Sequence, residues 1–171
     1  MKLDSKTITI SALIAAMYVI LTIGLGNLAY SEIQFRVSEV LVLLAFINPI
    51  YIIAVSVGTF IANLMGPFGL IDAFVGATAT CLSMTLIWNT RKLLGDSLIS
   101  VFASSLWPVL INALYVSGLV ILLDPGAGSE LFIPIAVSVG IGEFTVVSLL
   151  GVAIYSVIKN NKGFMNMIDK K

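Results

Sequence analysis

The stretch LFIPIAVSVGIGEFTVVSLLGVAIYSVI, residues 131–158, decides how this chain must be read. It is apolar along its length apart from small hydroxyl residues, and Glu143 is its one charged side chain. Crossing a bilayer as a helix takes ~20 mostly apolar residues, so a spanning helix is predicted here. Glu143 then lies about twelve residues from the start of that helix, or ~18 Å at 1.5 Å per residue. An ionisable group at such depth is costly and usually faces a polar cavity.

The rest of the chain has the same character. Of its 171 residues 59% are hydrophobic and 11% charged, against about 25% charged in soluble domains. A chain this short cannot hide that much apolar surface in a water-soluble core. Working outward from 131–158, further helices are predicted at about 8–25, 37–47, 50–64, 71–88 and 98–123, with a polar tail at 159–171. The chain thus reads as a single all-α transmembrane domain, 1–171, of six helices. The segments 37–47 and 50–64, hinged at Asn48-Pro49, are short for a bilayer and need tilt or shielding by neighbours. Met65-Gly66-Pro67-Phe68-Gly69 and Asp124-Pro125-Gly126-Ala127-Gly128 are turns by composition. Lys2 and Lys6 before an apolar run resemble a signal peptide, but the run is too long and five more follow, so a retained first helix is expected.

Six crossings put both termini on one side. Lys2, Lys6, Arg91, Lys92, Lys159, Lys162, Lys170 and Lys171 share it, and Arg36 alone of the nine basic residues does not. The positive-inside rule makes that side cytoplasmic, giving a multi-pass plasma-membrane protein with N and C termini inside. Asp4, Asp96 and Asp169 fall on the same side. Glu32, Glu39, Asp72, Asp124, Glu130 and Glu143 fall in the outer half, where they would concentrate cations. For Asp124 and Glu130 simple exclusion of lysine from that side is the better account.

Missing residues narrow the chemistry. Histidine is absent and Cys81 is the single cysteine, so the commonest general base, the commonest metal ligand and internal disulfides are excluded. No GxxxxGK[ST], HExxH or GxSxG motif occurs, which argues against ATP hydrolysis, zinc proteolysis and α/β-hydrolase chemistry. Zero net charge gives no basic field for nucleic acid. Neither an enzyme, a bound metal nor a cofactor is expected.

What remains is binding. Asn112 lies about eleven residues from the outer end of its helix, at a depth similar to that of Glu143. A carboxylate and a carboxamide at one level can read the donor and acceptor edge of a flat heterocycle, or simply bond to each other. Gly140 and Gly142 leave room beside Glu143. Arg36 and Glu39, at (i, i+3), form a local ion pair or meet a ligand. Asp72 begins a helix, where capping is the simpler role. Asn63 fits either role, and Glu32 belongs to the outer acidic group. Trp107, Phe35, Tyr30 and Tyr115 could stack on a ring, although each alone is more often a packing residue. In the first helix, Ala12-x-x-x-Ala16 with Ser11-x-x-x-Ala15 offers a small-residue face to a partner helix; that helix is otherwise smooth and apolar.

IQFRVSEVLVLLAFINP, GTFIANLMGPFGLIDAFVGATATCLS, WPVLINALYVSG and SVGIGEFTVVSLLG, in that order, resemble the queuosine-precursor transporter (QueT) family over about residues 11–158. Members are substrate-binding S components of energy-coupling factor (ECF) importers, which belong to the ABC class. The resemblance implies a compact six-helix S-component bundle with an outward-facing site. It also implies partnership with a transmembrane coupling protein and two ATPase subunits, which alone use ATP. Expected solutes are deazaguanines: queuine or its aminomethyl and cyano precursors. The family's FRxSE block falls on Phe35, Arg36, Ser38 and Glu39, its Asn-Ala on Asn112 and Ala113, and its Gly-Glu on Gly142 and Glu143. Ala12 and Ala16, with Ser11 and Ala15 beside them, are where such a component meets its coupling protein. Competing readings are an S component for another vitamin-like heterocycle and an autonomous proton-coupled transporter working through Glu143. The second lacks the internal repeats usual in such transporters.

Overall fold

The structure, a computed structural model, describes residues 4–26, 35–124 and 126–168, which hold helices and no strand. Helix α1 (Ser5–Gly24) starts where the Asp4 carboxylate accepts from the Thr7 amide at 2.9 Å, satisfying an otherwise orphaned donor. The short α2 (Val37–Ile47) is wound as a tight 3₁₀ helix over Val37–Leu43 and as an α-helix over Leu44–Ile47. It stops at Asn48, whose extended backbone (φ −148°, ψ 124°) is what the following Pro49 demands. Helix α3 (Tyr51–Leu64) leads back. Helix α4 (Gly69–Leu94) ends at Gly95, φ +77°, a conformation that favours glycine.

Helix α5 (Leu98–Leu123) is capped by Ser97, whose hydroxyl accepts from the Ser100 amide at 3.1 Å. Helix α6 (Ser129–Asn160) opens with a 3₁₀ turn and runs as α-helix over Phe132–Glu143. It widens into a π-helix over Phe144–Gly151 and closes as α-helix over Val152–Asn160. A short α7 (Lys162–Ile168) follows.

Helices α1, α4, α5 and α6 are long and apolar enough to cross a membrane, while α2 and α3 are shorter apolar helices. This is the architecture of a multi-pass membrane bundle. Its outside is greasy: Ile99 is 81% exposed, Leu122 78% and Val157 72%. In water such a surface would be unstable, and in lipid it costs nothing.

The short α2 lies inside the bundle, with every residue from Val42 to Ile47 buried. Its exposed-end problem is solved by a neighbour, as the Arg91 guanidinium donates to the carbonyls of Phe46 and of Ile47, the latter at 2.6 Å. Those are C-terminal carbonyls that a helix cannot satisfy itself. Arg91 also reaches Asp96 at 3.7 Å, and Lys159 reaches Asp96 at 2.7 Å. The residues around Ile10 of α1, Ile158 of α6 and Phe164 of α7 border one groove. Lys6, Arg91, Lys92, Lys159 and Lys162 therefore gather at one end of the bundle, called here the basic end.

Three departures from the sequence reading have physical causes. The predicted fourth helix stopped at Trp88, but α4 continues to Leu94 because Asn89–Lys92 lose hydropathy without losing helicity. Arg91 and Lys92 are in fact favoured in a last turn. The tail is not merely polar, since α7 folds back and Tyr51 Oη donates to the Ile168 carbonyl at 2.9 Å. The third is the π-helix inside α6, which apolar periodicity does not predict.

Candidate functional site

Three elements each place a polar group one turn beneath a cavity at the end of the bundle opposite the basic end. The cavity, about 690 Å³, is lined by Arg36, Asp72, Tyr115, Ser138 and the exposed Asp124 on its polar side and by Val116, Leu119 and Val139 among its apolar residues. One turn on from Arg36 stands Glu39, whose amide donates to the Arg36 carbonyl at 2.9 Å. Asn112 lies one α-turn from Val116, and Glu143 one α-turn from Val139. None of the three lines the cavity; they form a second layer under its floor.

In that lower layer Asn112 Nδ2 donates to Glu143 Oε1 at 2.8 Å. Asn112 also lies within electrostatic reach of Glu39, so the amide sits between the two acids. The Tyr18 hydroxyl donates to Glu39 Oε1. Arg36 lies within electrostatic reach of Glu39, Glu143 and Asp72. Glu39 is 1% exposed, Asn112 4% and Glu143 3%. Glu39 Oε2 and Glu143 Oε2 are nevertheless buried with no hydrogen-bond partner among the described residues. Buried polar atoms are nearly always paired, and an unpaired one demands an explanation. Immediately after Glu143 the helix widens into the π segment, a device that often marks functional sites.

The upper layer is a second hydrogen-bonded group. The Tyr115 hydroxyl donates to Asp72 Oδ1. Asn63 Nδ2 approaches Asp72 Oδ1 and the Asp72 carbonyl at 3.2 Å each, and Tyr115 Oη at 3.4 Å. Gly76, one turn from Asp72, makes room: a Cβ there would lie 2.9 Å from Tyr115 Oη and would overlap the Asn63 amide. Asn63 Oδ1 has no partner among the described residues.

The structure thus brings together Glu143, Asn112, Arg36, Glu39, Asn63 and Asp72. For Asp72 the capping role is corrected. The residue before α4 is Phe68, no side chain caps that end, and the Asp72 carboxylate turns inward because Tyr115 and Asn63 offer donors there. Trp107 is not brought to the cluster; its indole N–H donates to Thr90 Oγ1 at 2.9 Å, and Thr90 adjoins the Arg91 of the basic end. Phe35 is half-buried and packs against the apolar core without lining the cavity. Glu32 and Tyr30 lie outside the described residues.

On α1, Ala12 and Ala16 face outward, but Ala15 is used internally: its backbone meets Gly58 of α3, where even a Cβ would come within 2.9 Å of the Ala15 carbonyl. Ser11 is half-buried. The expectation of a smooth α1 also needs correction. Tyr18 and Thr22 are fully buried, and Thr22 Oγ1 lies 2.6 Å from Ser38 Oγ. Their (i, i+4) spacing was the available signal, hidden because tyrosine and threonine pass as ordinary membrane residues.

Comparison with known proteins adds the following. A family model described as QueT transporter matches residues 8–160. A protein of Lactococcus lactis subsp. cremoris (strain MG1363) named queuosine precursor transporter QueT is 46% identical over 86 residues, covering 48% of this chain and 50% of the relative. The match thus spans about half the length of that relative. No solved structure matches the chain significantly.

Proposed function

The chain belongs to the QueT transporter family, whose members are transporters and not enzymes, and we propose that it captures a queuosine precursor or another deazaguanine as the S component of an ECF importer. In this reading α2 and α3 complete six crossings, and the basic end with both termini faces the cytoplasm of the plasma membrane. The cavity then opens outward. The partners are the transmembrane coupling protein, met at Ala12 and Ala16, and two ATPase subunits.

One observation carries the reading: Glu143 is buried, tied through one oxygen to Asn112, and left with a second oxygen unpartnered one turn below a cavity. A guanine-like edge offers a ring N–H and an exocyclic amine side by side, the donor pair that a carboxylate accepts bidentately. Asn112 would serve the neighbouring carbonyl. Arg36 and the Asp72–Tyr115–Asn63 group form the floor that must part to admit the base.

The test is direct binding to purified protein. Glu143→Gln keeps the shape and removes the charge, and it is expected to weaken deazaguanine binding by more than tenfold, ~1.4 kcal/mol. A change under about threefold, ~0.7 kcal/mol, sinks the role given to Glu143.

A further inference from the structure

The buried charges of this site do not balance. Among the described residues the buried charged side chains are Arg36, Glu39, Asp72 and Glu143, one cation against three acids, all in or under the cavity floor. Among the described residues no other buried side chain supplies the missing positive charge. Between Lys6 and Arg91 the sequence holds no lysine or arginine except Arg36, and between Lys92 and Lys159 it holds none. Residues 27–34 add only another acid, Glu32. The five described basic residues other than Arg36 sit at the opposite end, where Arg91 and Lys159 are engaged by Asp96.

Buried carboxylates that lack a counter-charge must take up protons or meet a cation from outside. Two oxygens are poised for the second outcome. Glu39 Oε2 and Glu143 Oε2 are enclosed, unpartnered among the described residues, and belong to carboxylates close enough to influence each other. Glu143 is already assigned to the base edge, so Glu39 is left with an oxygen and no task.

Resting on the function proposed above, we infer that the cargo is selected as a cation: a deazaguanine carrying a protonated amine, its ammonium seated against Glu39. Neutral relatives of the same base bring no charge, whereas one ammonium offsets one of the two carboxylates that Arg36 leaves uncompensated. A primary or secondary ammonium brings two or three N–H donors to a place with unsatisfied acceptors. Glu39 is thereby a specificity determinant for the substituent, distinct from the part that reads the base.

Binding of three compounds to the purified wild-type protein tests this: 7-aminomethyl-7-deazaguanine, the neutral 7-cyano analogue and the neutral 7-methyl analogue. At least tenfold tighter binding of the aminomethyl compound than of either neutral base is expected. Equal or tighter binding of a neutral base overturns charge selection while leaving deazaguanine capture standing; failure of all three to bind overturns both. In Glu39→Gln the affinity for the amine should fall at least tenfold more than that for the nitrile. A variant that retains the full preference overturns the assignment to Glu39. The wild-type comparison decides charge selection even if the variant does not fold.

Discussion

The phenol of Tyr18 donates to Glu39 in a place that neither water nor lipid can reach. Removing it leaves both oxygens of a buried carboxylate short of donors, which costs about 1–3 kcal/mol for an unsatisfied group. Tyr18→Phe should therefore lower the thermal midpoint of the detergent-solubilised protein, and an unchanged midpoint would show that the bond contributes nothing. Glu143, Asn112, Arg36, Glu39 and Asp72 were legible in the sequence because a charge or amide within apolar residues is conspicuous. Their partners were not. Tyr18 passes as an ordinary membrane residue and Tyr115 was named only as a ring that could stack, yet they supply the hydroxyls that hold Glu39 and Asp72. Trp107 was named on residue type alone, and its indole is spent on Thr90.

Among elements, the contact of α1 with α3 turns on Gly58. A Cβ there would stand 2.9 Å from both the Ala15 carbonyl and Tyr18 Cβ. Neither atom is the end of a flexible side chain, so Gly58→Ala must push the helices apart, an overpacking cost of about 1–3 kcal/mol. Gly118 in α5 has nothing within 4 Å of such a Cβ. Gly118→Ala should leave thermal stability within about 1 kcal/mol of the parent, and similar losses in both variants would contradict the packing argument. The same contact moves Tyr18, so Gly58→Ala should also weaken ligand binding in the assays above. Five of the helices were read from composition to within a few residues at most ends. The winding of α2 and α6 was not, because 3₁₀, α and π turns use the same apolar residues. Which one forms depends on what packs alongside, as where Gly151 of the π segment approaches the Leu43 side chain of α2.

At the scale of the whole molecule, the basic end is joined by Asp96, which ties the α4–α5 connection to α6 through Lys159 and to α4 through Arg91. Partial burial pushes the Asp96 carboxyl upward, but the hydrogen bond and charge of Lys159 and the charge of Arg91 prevail and hold it below the ordinary aspartate value. A carboxylate depressed in the folded state contributes stability above its unfolded pKa and loses it as pH falls through the folded one. The thermal midpoint should thus decline on acidification below about pH 4. Asp96→Asn should remove that component, by no more than about 1 kcal/mol because the group is half-exposed. An identical pH profile in parent and variant would exclude the tie. By itself the sequence determined the solvent of this protein, its long apolar helices and the segregation of its charges, because hydropathy and net charge are sums over residues and need no neighbours. Only the tertiary structure decided that three acids from α2, α4 and α6 and the arginine just before α2 converge in and under the floor of one cavity, and which of their oxygens remain unpartnered. Convergence is a relation between residues far apart in the chain, and it is set by how helices pack rather than by what any one of them contains.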